Sequence, residues 1–248
     1  MKTHAIAILL MLTTGVWPAA GQSLGSRLPQ GEAVVRQSIA RHDPQGAWGQ
    51  GRWQLTLEET RPGRSSRHTA LHFDFRKGTF LLSQKTDGHR LVRRLAADGT
   101  CTFSLDGRKK LSAEEAERYR PDCARTTLLR NYYDYLWGLP MTLQDPGTRI
   151  DARVAVERFN DRPCLRVRVT YPPEVGTDVW YFYFDPQTFA LLGCRFYHDE
   201  AAGDGEFILF EDELTVNGVR LPRKRHWFTN RDNRYLGTDI LVEARHRP

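Results

Sequence analysis

The sequence predicts an α+β fold, with about eleven strands in one antiparallel sheet and about three helices packed against it. Apolar and polar residues alternate at period two over much of the chain. Turn signals break the second half every 10 to 16 residues, which favours sequential hairpins over βαβ crossovers. Two segments abandon this alternation for apolar residues three and four apart. The chain has 248 residues, 36 Lys and Arg against 30 Asp and Glu, and a formal charge of +6. With 40% hydrophobic and 27% charged residues it can build a sizeable core, and it is neither a membrane-embedded nor a disordered chain. No Lys/Arg run exceeds three residues, so nucleic acid is not the partner its charge implies.

Lys2, the apolar run Ala5 to Val16 and the small residues Ala19, Ala20 and Gly21 read as a secretory signal over residues 1–21. Residues 22–248 then form a single domain in a compartment that permits disulfides, with no transmembrane segment in the mature chain. An uncleaved anchor is the alternative. Ala33, Val34, Val35 and Ile39 share one face of a helix from Gly31 to Arg41, stopped by His42-Asp43-Pro44. Trp53, Leu55 and Leu57 begin the strands, followed by Phe73 and Phe75 and by segments near 78–84, 90–96 and 100–105. Ser112 and Glu115 have capping-box spacing and start a short helix to Tyr119. A second inserted helix, Ala124 to Trp137, carries Leu128, Leu129, Tyr132, Tyr133 and Leu136 on an aromatic face and ends at Gly138 and Pro140.

Charge parity orients the later strands. Arg166 and Arg168 leave Leu165, Val167 and Val169 on the opposite face, and Tyr181, Tyr183 and Asp185 leave Trp180, Phe182 and Phe184. Arg195 and Tyr197 leave Leu192, Cys194 and Phe196. The predicted apolar surface faces the helices, and the arginines form a solvated outer face that could alternatively meet an anionic membrane.

No motif carries catalysis. His42-Asp43 reads as a helix stop and His198-Asp199-Glu200 as a hairpin end, because sequence neighbours on a strand point to opposite faces and a metal needs three or four converging ligands. The acidic loop 199–206 lacks the ordered ligands of a calcium loop and reads as a charged turn. Nucleophile-elbow, zinc-protease, phosphate-loop and paired-cysteine signatures are all missing from the sequence. The expectation is therefore no enzyme, no metal and no cofactor.

The order helix, strands, helical insertion, long meander resembles the LolA-like superfamily of secreted half-barrels, which includes periplasmic lipoprotein carriers. The run His42-Asp43-Pro44-Gln45-Gly46-Ala47-Trp48, the stretch Tyr132 to Met141, Tyr183-Phe184-Asp185-Pro186-Gln187-Thr188 and Leu236 to Leu241 resemble an uncharacterised secreted family of that fold, commonest in the Bacteroidetes. The resemblance implies an open, strongly curved sheet whose concave side is partly filled by helices and can shelter acyl chains. It implies no particular cargo.

Four cysteines allow three pairings. Cys164 shares the face of Arg166 and Cys194 that of Leu192, so they cannot approach to disulfide distance unless a bulge reverses the parity. Cys101 faces the helices and Cys123 begins one, which makes Cys101 with Cys123 the expected bridge. The leading functional expectation is a non-enzymatic periplasmic protein holding a lipid or lipoprotein acyl chain against Val167, Val169, Trp180, Phe182, Phe184, Leu192 and Phe196, with Tyr132 and Leu136 on the inserted helix. A fourteen-carbon chain would return roughly 11 kcal/mol on burial, against an association cost of about 4–15 kcal/mol, giving moderate, reversible binding. The alternative is an envelope-protein interaction or sensing module whose cavity its own helices plug; an uncharacterised hydrolase is the weakest reading.

Overall fold

A chain that makes five consecutive hairpin strands and then seven more has to connect two distant sheet edges, and that connection determines where the helices lie. In the computed structural model, which describes residues 28–248, helix α1 (Gly31–His42) precedes β1 (Arg52–Thr60), β2 (Arg67–Asp74), β3 (Thr79–Thr86), β4 (His89–Leu95) and β5 (Cys101–Leu105). Helices α2 (Ala113–Tyr119) and α3 (Cys123–Trp137) and a 3-10 turn at Met141–Gln144 follow. The chain then returns through β6 (Arg149–Phe159), β7 (Arg162–Thr170), β8 (Val179–Phe184), β9 (Leu191–Tyr197), β10 (Glu206–Val216), β11 (Val219–Thr229) and β12 (Tyr235–Arg247). The signal segment, residues 1–21, lies outside the described residues.

All twelve strands form one open antiparallel sheet, one more than expected, in the order β5-β4-β3-β2-β1-β12-β11-β10-β9-β8-β7-β6. The first and last strands meet in the middle, and β5 and β6 are the free edges. The segment from β5 to β6 must therefore cross the whole sheet, and it carries α2 and α3 over one face. Bulges interrupt the register at Thr56/Leu57, Ile150/Val154, Tyr183/Phe184 and Trp227/Phe228. Each adds local twist and bends the sheet around its helices. Gly237 sits at the last of these with φ +147°, and a Cβ there would meet the Thr60 carbonyl oxygen at 2.1 Å. No other residue type fits, and the bulge turns Leu236 onto the helix-covered face.

The insertion is locally well specified. Ser112 Oγ accepts the Glu115 N–H while the Glu115 carboxylate accepts the Ser112 N–H, the expected reciprocal cap. Asp122 accepts the Arg125 N–H and starts α3 one residue before the predicted position. Cys101 is joined to Cys123, as expected from their faces, tying α3 to the free edge strand. Replacing both with Ser releases a closure with a sequence separation of 22, and is expected to lower the unfolding free energy by about 3 kcal/mol, read by denaturant titration.

Helix α3 divides the covered face. Tyr133 and Trp137 join Trp53, Leu55, Leu71 and Phe80 under the first half of the sheet. Leu136 and Leu139 join Val34 and Val35 of α1 with Val167, Phe182 and Phe184 under the second. No helix among the described residues is long and apolar enough to cross a membrane.

Candidate functional site

The register defines two rims of the curved sheet. One rim carries Val169, Trp180, Phe196, Glu206 and Thr229, passes the start of β12 at Tyr235, and continues through Thr60 to Arg67 and Lys85. The opposite rim, which carries Leu191 and Arg220, is tied to the end of α1 by His42. The His42 ring is fully buried, with Nδ1–H donating to the Arg220 carbonyl at 2.7 Å and Nε2 accepting the Leu191 N–H at 3.1 Å. These partners require the neutral ring, and burial pushes its pKa below the ordinary histidine value. Asp43 accepts the N–H groups of Ala47 and Trp48. The pair thus stops the helix, as the sequence suggests, and also fastens it. Because the folded pKa lies below the unfolded one, the unfolded chain takes up the proton first as pH falls below about 6.5. The parent should lose stability there relative to His42→Ala, which should itself be about 3 kcal/mol less stable at pH 8; denaturant midpoints across pH 8 to 5 test both.

The predicted apolar surface divides into a sealed layer and an open border. Val167, Val169, Phe182 and Phe184 are completely buried and Leu136 nearly so, packed with Val34, Val35, Leu139 and Leu143. Trp180 and Phe196 lie half-buried at the first rim, with ring centres 4.7 Å apart. Trp180 also meets Tyr135 edge-on at 5.5 Å, and the Tyr135 and Tyr171 hydroxyls share a hydrogen bond of 2.8 Å. On α3, Tyr132 and Leu128 remain 43% and 56% exposed. The structure thus leaves an aromatic border on the helix-covered side where the layer beneath is solid.

Leu192 is a correction. It packs with Phe159, Cys164, Tyr183 and Phe207 on the face without helices. The bulge at Tyr183/Phe184 pairs Tyr183 with Gly193 but Phe184 with Leu191, so Leu192 is the extra residue and reverses its parity. The neighbouring parities stand: Cys194 joins the helix side and Cys164 the other, and both are free and buried. The outer face also departs from the solvated surface expected of its arginines. Phe159 lies over Gly193, where a Cβ would come within 2.6 Å of its ring, and stacks on Tyr183 at 3.8 Å. Arg166 covers Tyr181 and Arg195 covers Phe207. The guanidinium groups themselves lie over the aromatic rings, as cation–π caps on this outer layer.

Sequence reasoning missed a buried polar network beside the aromatic border. Glu59, 4% exposed, accepts from Arg67 Nε at 2.8 Å, from Thr69 Oγ1 and from the Tyr133 hydroxyl at 3.3 Å. Asp239 accepts from Arg61 Nη1 and from Trp227 Nε1, each at 2.8 Å. Arg225 lies flat over Trp137, 3.6 Å from the ring centre, and donates to the Leu136 carbonyl, while its Nε and Nη2 have no partner. Burial lowers its pKa to about 9, so it stays charged at neutral pH. The signal was present: Glu59 continues the inward series Trp53, Leu55, Leu57, and Arg225 lies two residues before inward-facing Trp227.

The other candidate groups have structural roles. His198 pairs with Asp178, Glu200 meets Tyr181 and Arg168, and Asp204 accepts the N–H groups of His198 and Asp199, making a charged hairpin end. Among the described residues no three His, Cys, Asp or Glu converge as metal ligands. A trough of about 450 Å³ crosses one end of β1 to β5, lined by Gln54, His72, Leu81, Arg94 and Thr102 among others. These five alternate with the buried series and so face away from the helices, remote from the predicted surface.

A model for a family of unknown function, DUF6503, matches residues 20–244. No curated protein matches the sequence. Among solved structures, a DUF1329 family protein from Desulfovibrio piger is similar at TM-score 0.50 and 9% identity, over 88% of this chain and 94% of that one. A putative outer membrane lipoprotein-sorting protein domain from Vibrio parahaemolyticus gives 0.49 and 12%, over 88% and 92%. A LolA superfamily protein from Nitrosomonas europaea gives 0.46 and 9%, over 89% and 95%. At such identities the likeness is one of fold, carried by the Desulfovibrio structure, and the chain has the open antiparallel sheet with helices on one face that its sequence predicts.

Proposed function

The chain belongs to DUF6503, a family of unknown function, and we propose from its own geometry that it is a non-enzymatic periplasmic protein that binds a hydrophobic ligand, a lipid or lipoprotein acyl chain, at the open border of its concave side. One observation carries this reading: Tyr132, Trp180 and Phe196 stay partly exposed on the helix-covered side, above a layer that is otherwise solid. Large aromatic groups bordering a concave face return free energy when an apolar ligand removes them from water, roughly 25 cal/mol per Å². The sealed layer, Val167, Val169, Phe182 and Phe184, serves as a floor on which the ligand rests. The signal segment read in residues 1–21 and a disulfide, a bond that persists in oxidising compartments, support the periplasmic part of this reading.

That same sealed floor favours a second reading, the self-plugged interaction module. Native mass spectrometry of the exported, purified protein, followed by solvent extraction and lipid analysis, separates the two. The binding reading expects an amphiphile in stoichiometric amount. A chain that carries none and takes up none on incubation with fatty acid points to the plugged module.

A further inference from the structure

A second hollow, of about 530 Å³, opens at the same rim as the aromatic border, where the β1–β2 turn, the β3–β4 turn and α2 come together. Its charged lining is Glu59, Arg61, Arg64, Arg67, Asp87 and Arg118, four guanidinium groups against two carboxylates. Two of the arginines are held from behind. Asp239 fixes Arg61 through Nη1 and Glu59 fixes Arg67 through Nε and Nη2. Among the described residues, Nε and Nη2 of Arg61 and Nη1 of Arg67 have no hydrogen-bond acceptor, and Arg64 and Arg118 form no ion pair. Buried carboxylates thus orient two cationic forks toward the hollow, and two exposed arginines flank them. Of the lining acids, Glu59 is already saturated by Arg67, Thr69 and Tyr133, which leaves Asp87 alone to offset the pair Arg64 and Arg118. Tyr133, whose ring meets that of Tyr132 edge-on at 5.1 Å, donates its hydroxyl to Glu59 in the hollow's lining, so the two regions adjoin.

We infer that this hollow takes the phosphate headgroup of the bound amphiphile, an assignment that rests on the binding reading above. A phosphate presents several acceptor oxygens to guanidinium forks converging from different elements, and arginine matches that geometry better than a point charge does. The apolar border would hold the chain while the arginines select the head, making the preferred ligand an anionic phospholipid or monoacyl phosphate rather than a zwitterionic lipid.

The test titrates the exported, purified protein with a monoacyl glycerol phosphate, with the zwitterionic monoacyl glycerophosphocholine of the same acyl chain, and with inorganic phosphate, and repeats all three on the double variant Arg64→Gln/Arg118→Gln. Both positions are exposed, so the fold should survive. The expected result is that the anionic amphiphile binds at least about tenfold tighter than its choline counterpart. The double variant should lose most of that preference and keep its affinity for the glycerophosphocholine. Equal affinity for the two amphiphiles in the parent, or a preference that survives the double substitution, overturns the headgroup assignment and leaves the binding reading standing. Inorganic phosphate bound as tightly as the amphiphile overturns it too, because the hollow is then a free-phosphate site. Failure of both amphiphiles to bind removes the binding reading and the headgroup assignment together.

Discussion

Phe182→Ala should lower the unfolding free energy by about 3–5 kcal/mol, whereas Trp180→Ala, two residues along the same strand, should lower it by about half as much or less. The difference comes from position. Phe182 is completely enclosed, between Val167 and Cys194 in the sheet and within the cluster formed with α1 and the Leu139–Leu143 segment. Removing its ring leaves a cavity that rigid neighbours cannot fill. Trp180 stands at the rim, half-buried, with one face on Phe196 and its edge toward Tyr135. Water can replace what is lost there. On the binding account the ranking reverses for ligand retention: Trp180→Ala should release most co-purifying amphiphile. Denaturant titration and lipid analysis on the same preparations read both effects, and equal destabilisation by the two changes would remove the distinction between floor and border.

Glu59→Ala is expected to destabilise by about 3–5 kcal/mol, although it deletes only a short side chain. Its carboxylate is the common acceptor for Arg67, Thr69 and Tyr133, and Gln84 extends the set by donating to Thr69 and Tyr133. Without it, two buried hydroxyls and a partly buried guanidinium lose their acceptor in a poorly solvated place, where an unmade hydrogen bond is expensive. The conservative change Glu59→Gln keeps the shape and one acceptor oxygen and should recover part of the loss. A loss below about 1 kcal/mol for Glu59→Ala, by the same titration, would show that water replaces the carboxylate and that the network is not a rigid support for Arg67.

Much of this architecture was legible because it depends on local physics. Period two, the capping box at Ser112 and Glu115 and the Asp-Pro and Asn-Gly turns specify strands and breaks without reference to the rest of the chain. The Cys101–Cys123 bridge followed from which face each cysteine occupies. The limits arose where tertiary context overrode parity. One extra residue in β9 reversed Leu192, and no feature of Phe189 to His198 marks which residue that is. The arginines of the outer face looked like a solvated surface because sequence does not show that Phe159 folds across Gly193 and that Arg166 and Arg195 lie over aromatic rings. The polar network was readable in part. Glu59 breaks an inward apolar series, but its partners come from β2 and α3, and their convergence depends on where the insertion crosses the sheet.

The central claim, that a hydrophobic ligand occupies the helix-covered side at the aromatic rim, is tested most directly by photo-crosslinking with a long-chain fatty acid bearing a diazirine near its tail, followed by peptide mapping. The account predicts label on the α3 peptide containing Tyr132 and on the strand peptides containing Trp180 and Phe196, reduced by excess unlabelled lipid. Label confined to the trough at Gln54, His72, Leu81 and Arg94, or labelling that excess lipid does not reduce, would contradict it.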